Sequence, residues 1–159
     1  MKIETITKDD NLIIASIIRK NLKSYNLDIP GTAYFDKNLD NLSEFYLEKP
    51  DKRVYLILKG DNNQVLGGVG LSEFEGFDNT CELQKLYLDN SVKGRGLGLK
   101  LVVLIEEKAR QLGYKKIYLE THDNLQPAIN LYKKLGYKNI EKPNFVAHSA
   151  MNLFFIKDL

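Results

Sequence analysis

In the stretch Ser91–Leu101, SVKGRGLGLKL, Gly94, Gly96 and Gly98 alternate with Arg95 and Leu97 behind Lys93, and an apolar helical pattern begins at once afterwards. Backbone amides in the first turn of a helix lack an intrahelical partner and lie at the positive end of its dipole, so such a turn can take phosphate oxygens. Glycine lets a ligand approach the main chain closely, and Lys93, Arg95 and Lys100 add positive charge. These residues suit a pyrophosphate. A nucleoside-triphosphate loop would need a Gly-Lys-Ser/Thr ending, which GRGLGLK does not have. A dinucleotide fingerprint would need a third glycine where Leu99 stands, in an opening βαβ unit with an acid near the end of the next strand. Glu120 lies roughly there, but some ninety residues precede the turn.

A second set of residues can move protons. Glu120 and His122 end the strand-like YLETH, and His148 precedes the last strand in VAHSAMN. Histidine titrates near neutrality and serves as base or substrate ligand, although a lone histidine at a strand start is more often structural. Cys81 is the one cysteine. With no adjacent histidine it reads as a core residue, so a covalent acyl-cysteine mechanism is not favoured.

These groups must be positioned by elements that the pattern also predicts. KIETIT alternates as a strand, KDDN caps a helix carrying Leu12, Ile13, Ile17, Ile18 and Leu22, and a short helix with Leu39, Leu42, Phe45 and Tyr46 ends at Pro50. Val54–Leu58 and Val65–Leu71 form a hairpin across KGDNNQ, and TCELQKLYLDN is a further strand. The glycine-rich turn leads into a helix with Leu97, Leu101, Leu104, Ile105 and Ala109 on one side and Gly113 at its end. KKIYLET is a strand, QPAINLYKKLGY a helix from Pro127 to Gly136, and AMNLFFIKDL a last strand. Hairpins mixed with crossover helices indicate an α+β or mixed α/β sheet.

The 159 residues fit one domain, 1–159, with a core of its own. Hydrophobic residues at 43% and charged residues at 28% are ordinary for a globular protein. A net charge of +2 is too small for a nucleic-acid binder. One cysteine, no zinc-type Cys/His spacing, no leader-like amino terminus and no bilayer-length apolar run point to the cytoplasm, without structural metal and without membrane attachment.

KGRGLG, Lys93–Gly98, matches the Gln/Arg-x-x-Gly-x-Gly/Ala loop of the GNAT family of N-acetyltransferases except at its first position. AINLYKKLGY, Ala128–Tyr137, matches that family's later helix signature in full. The chain from about Val54 onward therefore resembles this family, including its YLET strand and GGVG hairpin arm. The resemblance implies a mixed, mainly antiparallel sheet of about seven strands flanked by about four helices. It implies an acetyltransferase moving an acetyl group from acetyl-CoA to an amine of a small molecule or peptide by direct attack in a ternary complex.

The resemblance also assigns residues. Leu86, Tyr87 and Leu88 would bind the pantetheine arm and thioester through their main chains, and Lys93, Gly94, Arg95, Gly96, Leu97, Gly98 and Leu99 would hold the pyrophosphate. Tyr132 would be the general acid, because a phenol can protonate a thiolate of comparable basicity. Asn124 is a weaker candidate for a CoA contact, one residue further from the tyrosine than usual. Glu82, on the fourth strand, would be the general base, with Glu120, His122 and His148 as rivals or substrate ligands. Tyr34, Phe35 and Asp36 fall in the amino-terminal third that forms much of the acceptor site in the family. A silent acyl-CoA-binding module of the same fold is the alternative. A homodimer through sheet-edge pairing of the last strands is a further expectation.

Overall fold

The computed structural model describes residues 1–159. Seven strands form one sheet in the order β1-β2-β3-β4-β5-β7-β6. They are β1 (Lys2–Thr5), β2 (Val54–Lys59), β3 (Val65–Glu73), β4 (Thr80–Leu88), β5 (Lys116–Thr121), β6 (Lys138–Ile140) and β7 (Leu153–Asp158). Every neighbouring pair is antiparallel except β4 and β5. That parallel pair requires a crossover, which α3 (Leu97–Gln111) supplies.

Alternation along β2 shows how the sheet is sandwiched. Tyr55 and Ile57 point to a core shared with α1 (Asn11–Ser24) and α2 (Leu42–Glu48), whereas Leu56 and Leu58 point to a core shared with α3 and α4 (Gln126–Lys134). The amphipathic stripes of the sequence thus become two buried layers, one on each face. On the α1/α2 face, β3 presents Gly68 and Gly70, where a methyl group would meet the Tyr55 and Tyr46 rings at 2.5–2.7 Å. Gly68 and Gly70 of GGVG admit two buried tyrosines.

The start of α1 is fixed by Asp10, whose carboxylate accepts from the Thr7 amide at 2.8 Å and hydroxyl at 2.9 Å and pairs with Lys59 at 2.9 Å. A reciprocal pair, Asn11 to Ser43 and back at 2.9 Å each, ties α1 to α2. These bonds leave the segment between the two helices, with Tyr34, Phe35 and Asp36, anchored at both ends.

The strand ending the chain is not an edge. β7 lies between β5 and β6, so of the last two strands only the three-residue β6 borders the sheet, and the expected pairing surface shrinks to Lys138–Ile140. The reason is the long segment 141–152, which carries the chain back across the sheet end before β7 inserts beside β5.

Candidate active site

β4 starts as the parallel partner of β5, with Thr80, Cys81 and Glu82 opposite Lys116, Ile117 and Tyr118, and there the pairing stops. At Lys85 the main chain turns to φ 51° and the β3–β4 register shifts, a bulge that bends β4 away from β5. The Tyr55 hydroxyl donates to the Lys85 carbonyl at 2.8 Å and fastens the bulge. From Lys85 to Leu88 on one side and Glu120–Thr121 on the other, the strands form the two sides of a wedge. A cavity of about 620 Å³ fills that wedge, closed by Leu131 and Tyr132 of α4 and by the glycine-rich turn.

At the turn, Gly94 and Gly96 both have φ 74°, and a methyl group on either would meet nothing within 4 Å. Conformation, not space, requires glycine here. Gly96 is the residue before α3, without a side-chain cap, and the first intrahelical bond runs from the Lys100 amide to the Gly96 carbonyl at 3.2 Å. The amides of Leu97, Gly98 and Leu99 therefore face the cavity end without helical partners. Lys93 also lines the cavity. Burial lowers its proton affinity against the pull of Asp89, and its ammonium lies 5.7 Å from the centre of the Tyr25 ring.

Lys93, Gly94, Gly96, Leu97, Gly98, Leu99, Leu86, Tyr87, Leu88 and Tyr132 all line this one cavity. Arg95 does not: it points outward, near Asp61. Asn124 is also absent from the lining, because its side-chain amide donates to the Tyr25 carbonyl at 2.9 Å. It shapes the mouth by holding the end of α1 to the turn before α4. His122 stays within that same turn, its Nδ1 accepting from the Asn124 amide at 3.0 Å. Tyr34 packs at the edge of the α1/α2 core, its ring 5.1 Å from that of the exposed Phe35.

Several lining residues escape sequence reasoning, three of them polar or aromatic groups at the donor end. Lys134 adds a cation at the phosphate end, Tyr25 lies beneath Lys93, and Asn21 donates to the Leu88 carbonyl at 2.9 Å. Lys134 carries a readable signal, since it follows Leu131 at helical spacing; Tyr25 and Asn21, distant in sequence, carry none.

Tyr132 is 5% exposed, with its ring packed near Tyr137 and Phe155. Burial raises its phenol above the ordinary value, so the proton is held at neutral pH. At the other side of the wedge, buried Glu82 accepts from Gln84 at 3.0 Å, and Gln84 in turn accepts from Tyr46 at 2.7 Å. Burial first, then the Glu120 charge, push the Glu82 carboxyl up to about 7, against the Gln84 hydrogen bond and the charges of His148 and Lys85. Glu82 lies behind the cavity wall, while Glu120, two residues beyond its partner Tyr118 on β5, lines the cavity.

Glu120 is engaged at both oxygens. One accepts from the His148 amide at 2.8 Å and lies 3.3 Å from its Nδ1; the other accepts from the Tyr118 hydroxyl at 3.2 Å. His148 Nε2 lies 2.8 Å from Asp36, and Asp36 also pairs with Lys85 at 2.9 Å. The structure thus brings Glu82, Glu120, His148 and Asp36 together, with Lys85 and Tyr118 as members that sequence reasoning missed.

A wedge between two splayed parallel strands thus has unpartnered helix amides at one end and titratable groups at the other. A model of the acetyltransferase (GNAT) family matches residues 19–137. The uncharacterised N-acetyltransferase YjgM of Escherichia coli (strain K12) is 36% identical over 138 residues, covering 86% of this chain and 81% of its own. An acetyltransferase of the GNAT family from Staphylococcus aureus Mu50 has a TM-score of 0.86 at 18% identity, covering 99% of this chain and 98% of its own. The PaiA N-acetyltransferase of Thermoplasma acidophilum, solved in complex with coenzyme A, has a TM-score of 0.76 at 16% identity over the full length of both chains. The chain belongs to the GNAT family of acetyltransferases and is by class an acyltransferase. No helix is long and apolar enough to cross a membrane.

Proposed function

We propose that the protein moves an acetyl group from acetyl-CoA to the primary amine of a small molecule or peptide by direct attack within a ternary complex. Acetyl-CoA is the donor. The observation that carries the reading is the single wedge-shaped cavity, which joins the amides of Leu97–Leu99 to Tyr132 and ends at Glu120, in front of Glu82. The amides with Lys93 and Lys134 suit the pyrophosphate, and the edge of β4 at Leu86–Leu88, which does not pair with β5, suits the amide-bearing pantetheine arm.

In this reading Glu82 takes a proton from the acceptor ammonium through a water beside Glu120, since it stands behind the cavity wall. The neutral amine nitrogen then bonds to the acetyl carbon as the carbon–sulfur bond breaks, the Tyr132 hydroxyl gives its proton to the departing sulfur, and the second proton that the nitrogen sheds to become an amide returns to the Tyr132 phenolate. A carboxyl near pH 7 in affinity is matched to that first step. Lys85 and His148 are already paired with Asp36 and Glu120, which leaves Glu82 as the one carboxyl of the group without its own cation. That balance favours an acceptor with one ammonium over a polyamine.

The test follows thiol release from acetyl-CoA with a panel of monoamines, polyamines, amino acids and peptide amines. Release that depends on a monoamine and fails in Tyr132→Phe and Glu82→Gln is the expected result. Release no faster than hydrolysis with every amine, while acetyl-CoA still raises Tm, would return the protein to a binding module.

A further inference from the structure

His148 joins three separate parts of the acceptor end. It comes from segment 141–152, its ring reaches Asp36 in the segment between α1 and α2, and its amide and ring both meet Glu120 at the end of β5. The Nε2 distances to the two Asp36 oxygens are 2.8 and 3.1 Å. The same two segments touch again nearby, where the Ala150 amide donates to the Gly31 carbonyl at 3.0 Å and a methyl group at Gly31 would collide with Ser149 Oγ. Burial works against charge on the imidazole, but Asp36 and Glu120 outweigh it and push His148 up to about 9. At neutral pH the ring therefore carries a proton.

We propose that His148 is a positioning residue for the acceptor end: latched between Asp36 and Glu120, it fixes the Glu120 carboxylate and keeps a positive charge beside Glu82, so that Glu82 can release its proton in the working pH range. This rests on Glu82 acting as the general base.

The titratable and hydrogen-bonding groups around Glu82 come from several elements, while β3 places the uncharged Ser72 opposite it. Gln84 and Lys85 lie on its own strand, Tyr118 and Glu120 on β5, Tyr46 on α2, Asp36 between α1 and α2, and His148 on segment 141–152. Among the charged members, Glu120 disfavours a Glu82 carboxylate, while His148 and Lys85 favour it. Removing the His148 charge leaves Glu120 less opposed, and the Glu82 proton is then held to higher pH. Removing the Glu120 charge acts in the opposite direction. A side chain that only packed two loops together would produce neither sign.

The experiment titrates the whole protein, without ligand, by difference infrared spectroscopy of the protonated carboxyl band, with the acid limb of kcat/KM as a second readout. Glu82→Gln identifies the band and should abolish both band and limb. His148→Asn and His148→Gln should each move the band and the limb upward by about one pH unit, and Glu120→Gln should move the band downward. His148→Gln keeps more of the side-chain volume, so it stands if His148→Asn does not fold. A band at the same pH in wild type, His148→Asn and His148→Gln overturns the proposal while Glu82 remains the base. An acid limb that survives Glu82→Gln overturns the base assignment itself, whatever the histidine does.

Discussion

Tyr132 and Glu82 stand on opposite sides of the same wedge with proton affinities pushed up by the same cause, burial, and the consequences for each differ. For the phenol, a raised value keeps the proton available at neutral pH, so Tyr132→Phe should lower kcat by about 100-fold while leaving acetyl-CoA affinity within a factor of two or three. Isothermal titration beside steady-state kinetics separates the two quantities. For the carboxyl, only the ionised form can accept a proton, so kcat/KM should climb as pH rises through about 7. A profile flat from pH 5.5 to 8 would remove Glu82 from the reaction. Family resemblance named both residues, yet their separation from the lining was not visible in the sequence: Tyr132 faces the cavity, whereas Glu82 stands behind it.

The bulge in β4 and the turn before α3 are the elements that open the cavity. In CELQKLYL the residues that join the α3/α4 core are Cys81, Leu83, Leu86 and Leu88, spaced two, three and two apart. A single slip of the two-residue period marks the bulge, and it can be read from the letters alone. What secures it cannot be, because Tyr55 lies thirty residues away and reaches the Lys85 carbonyl only where Gly68 and Gly70 leave room. Tyr55→Phe should cost about 1 kcal/mol of stability by urea unfolding and weaken acetyl-CoA binding as the wedge relaxes. The glycines of the turn separate in the same way. Gly96→Ala places a side chain at φ 74° and should cost about 1–2 kcal/mol together with donor affinity. A methyl at Gly98 would meet Leu131 at 3.5 Å and Leu88 at 3.8 Å, ordinary contact distances, so Gly98→Ala should change stability by less than about 0.5 kcal/mol.

Across the whole molecule, strands and helices followed their periodicities, and the sheet order did not. Nothing local in AMNLFFIKDL says that it inserts between β5 and β6, since that depends on the path of segment 141–152 and on its attachment to Gly31, Asp36 and Glu120. Buried and half-buried titratable groups give the fold a pH dependence with two arms, the alkaline one partly at this attachment. Glu73, held by Arg53, has its carboxyl lowered from 4.5 to about 2, so its contribution is present above 4.5 and is lost as pH falls toward 2. Glu82 is raised from 4.5 to about 7 and His148 from 6.5 to about 9, so the native state binds extra protons over both intervals. Stability therefore declines as pH rises through 7 for the first and from 6.5 through 9 for the second. The two arms meet in mild acid, and Tm should peak near pH 5 and fall toward both pH 3 and pH 9. Calorimetric scans across that range check the shape, and His148→Asn should flatten the alkaline arm above about pH 8, where only His148 still titrates, while leaving the acid arm in place. An alkaline arm of unchanged slope in that variant would mean that the imidazole holds no extra proton in the folded chain.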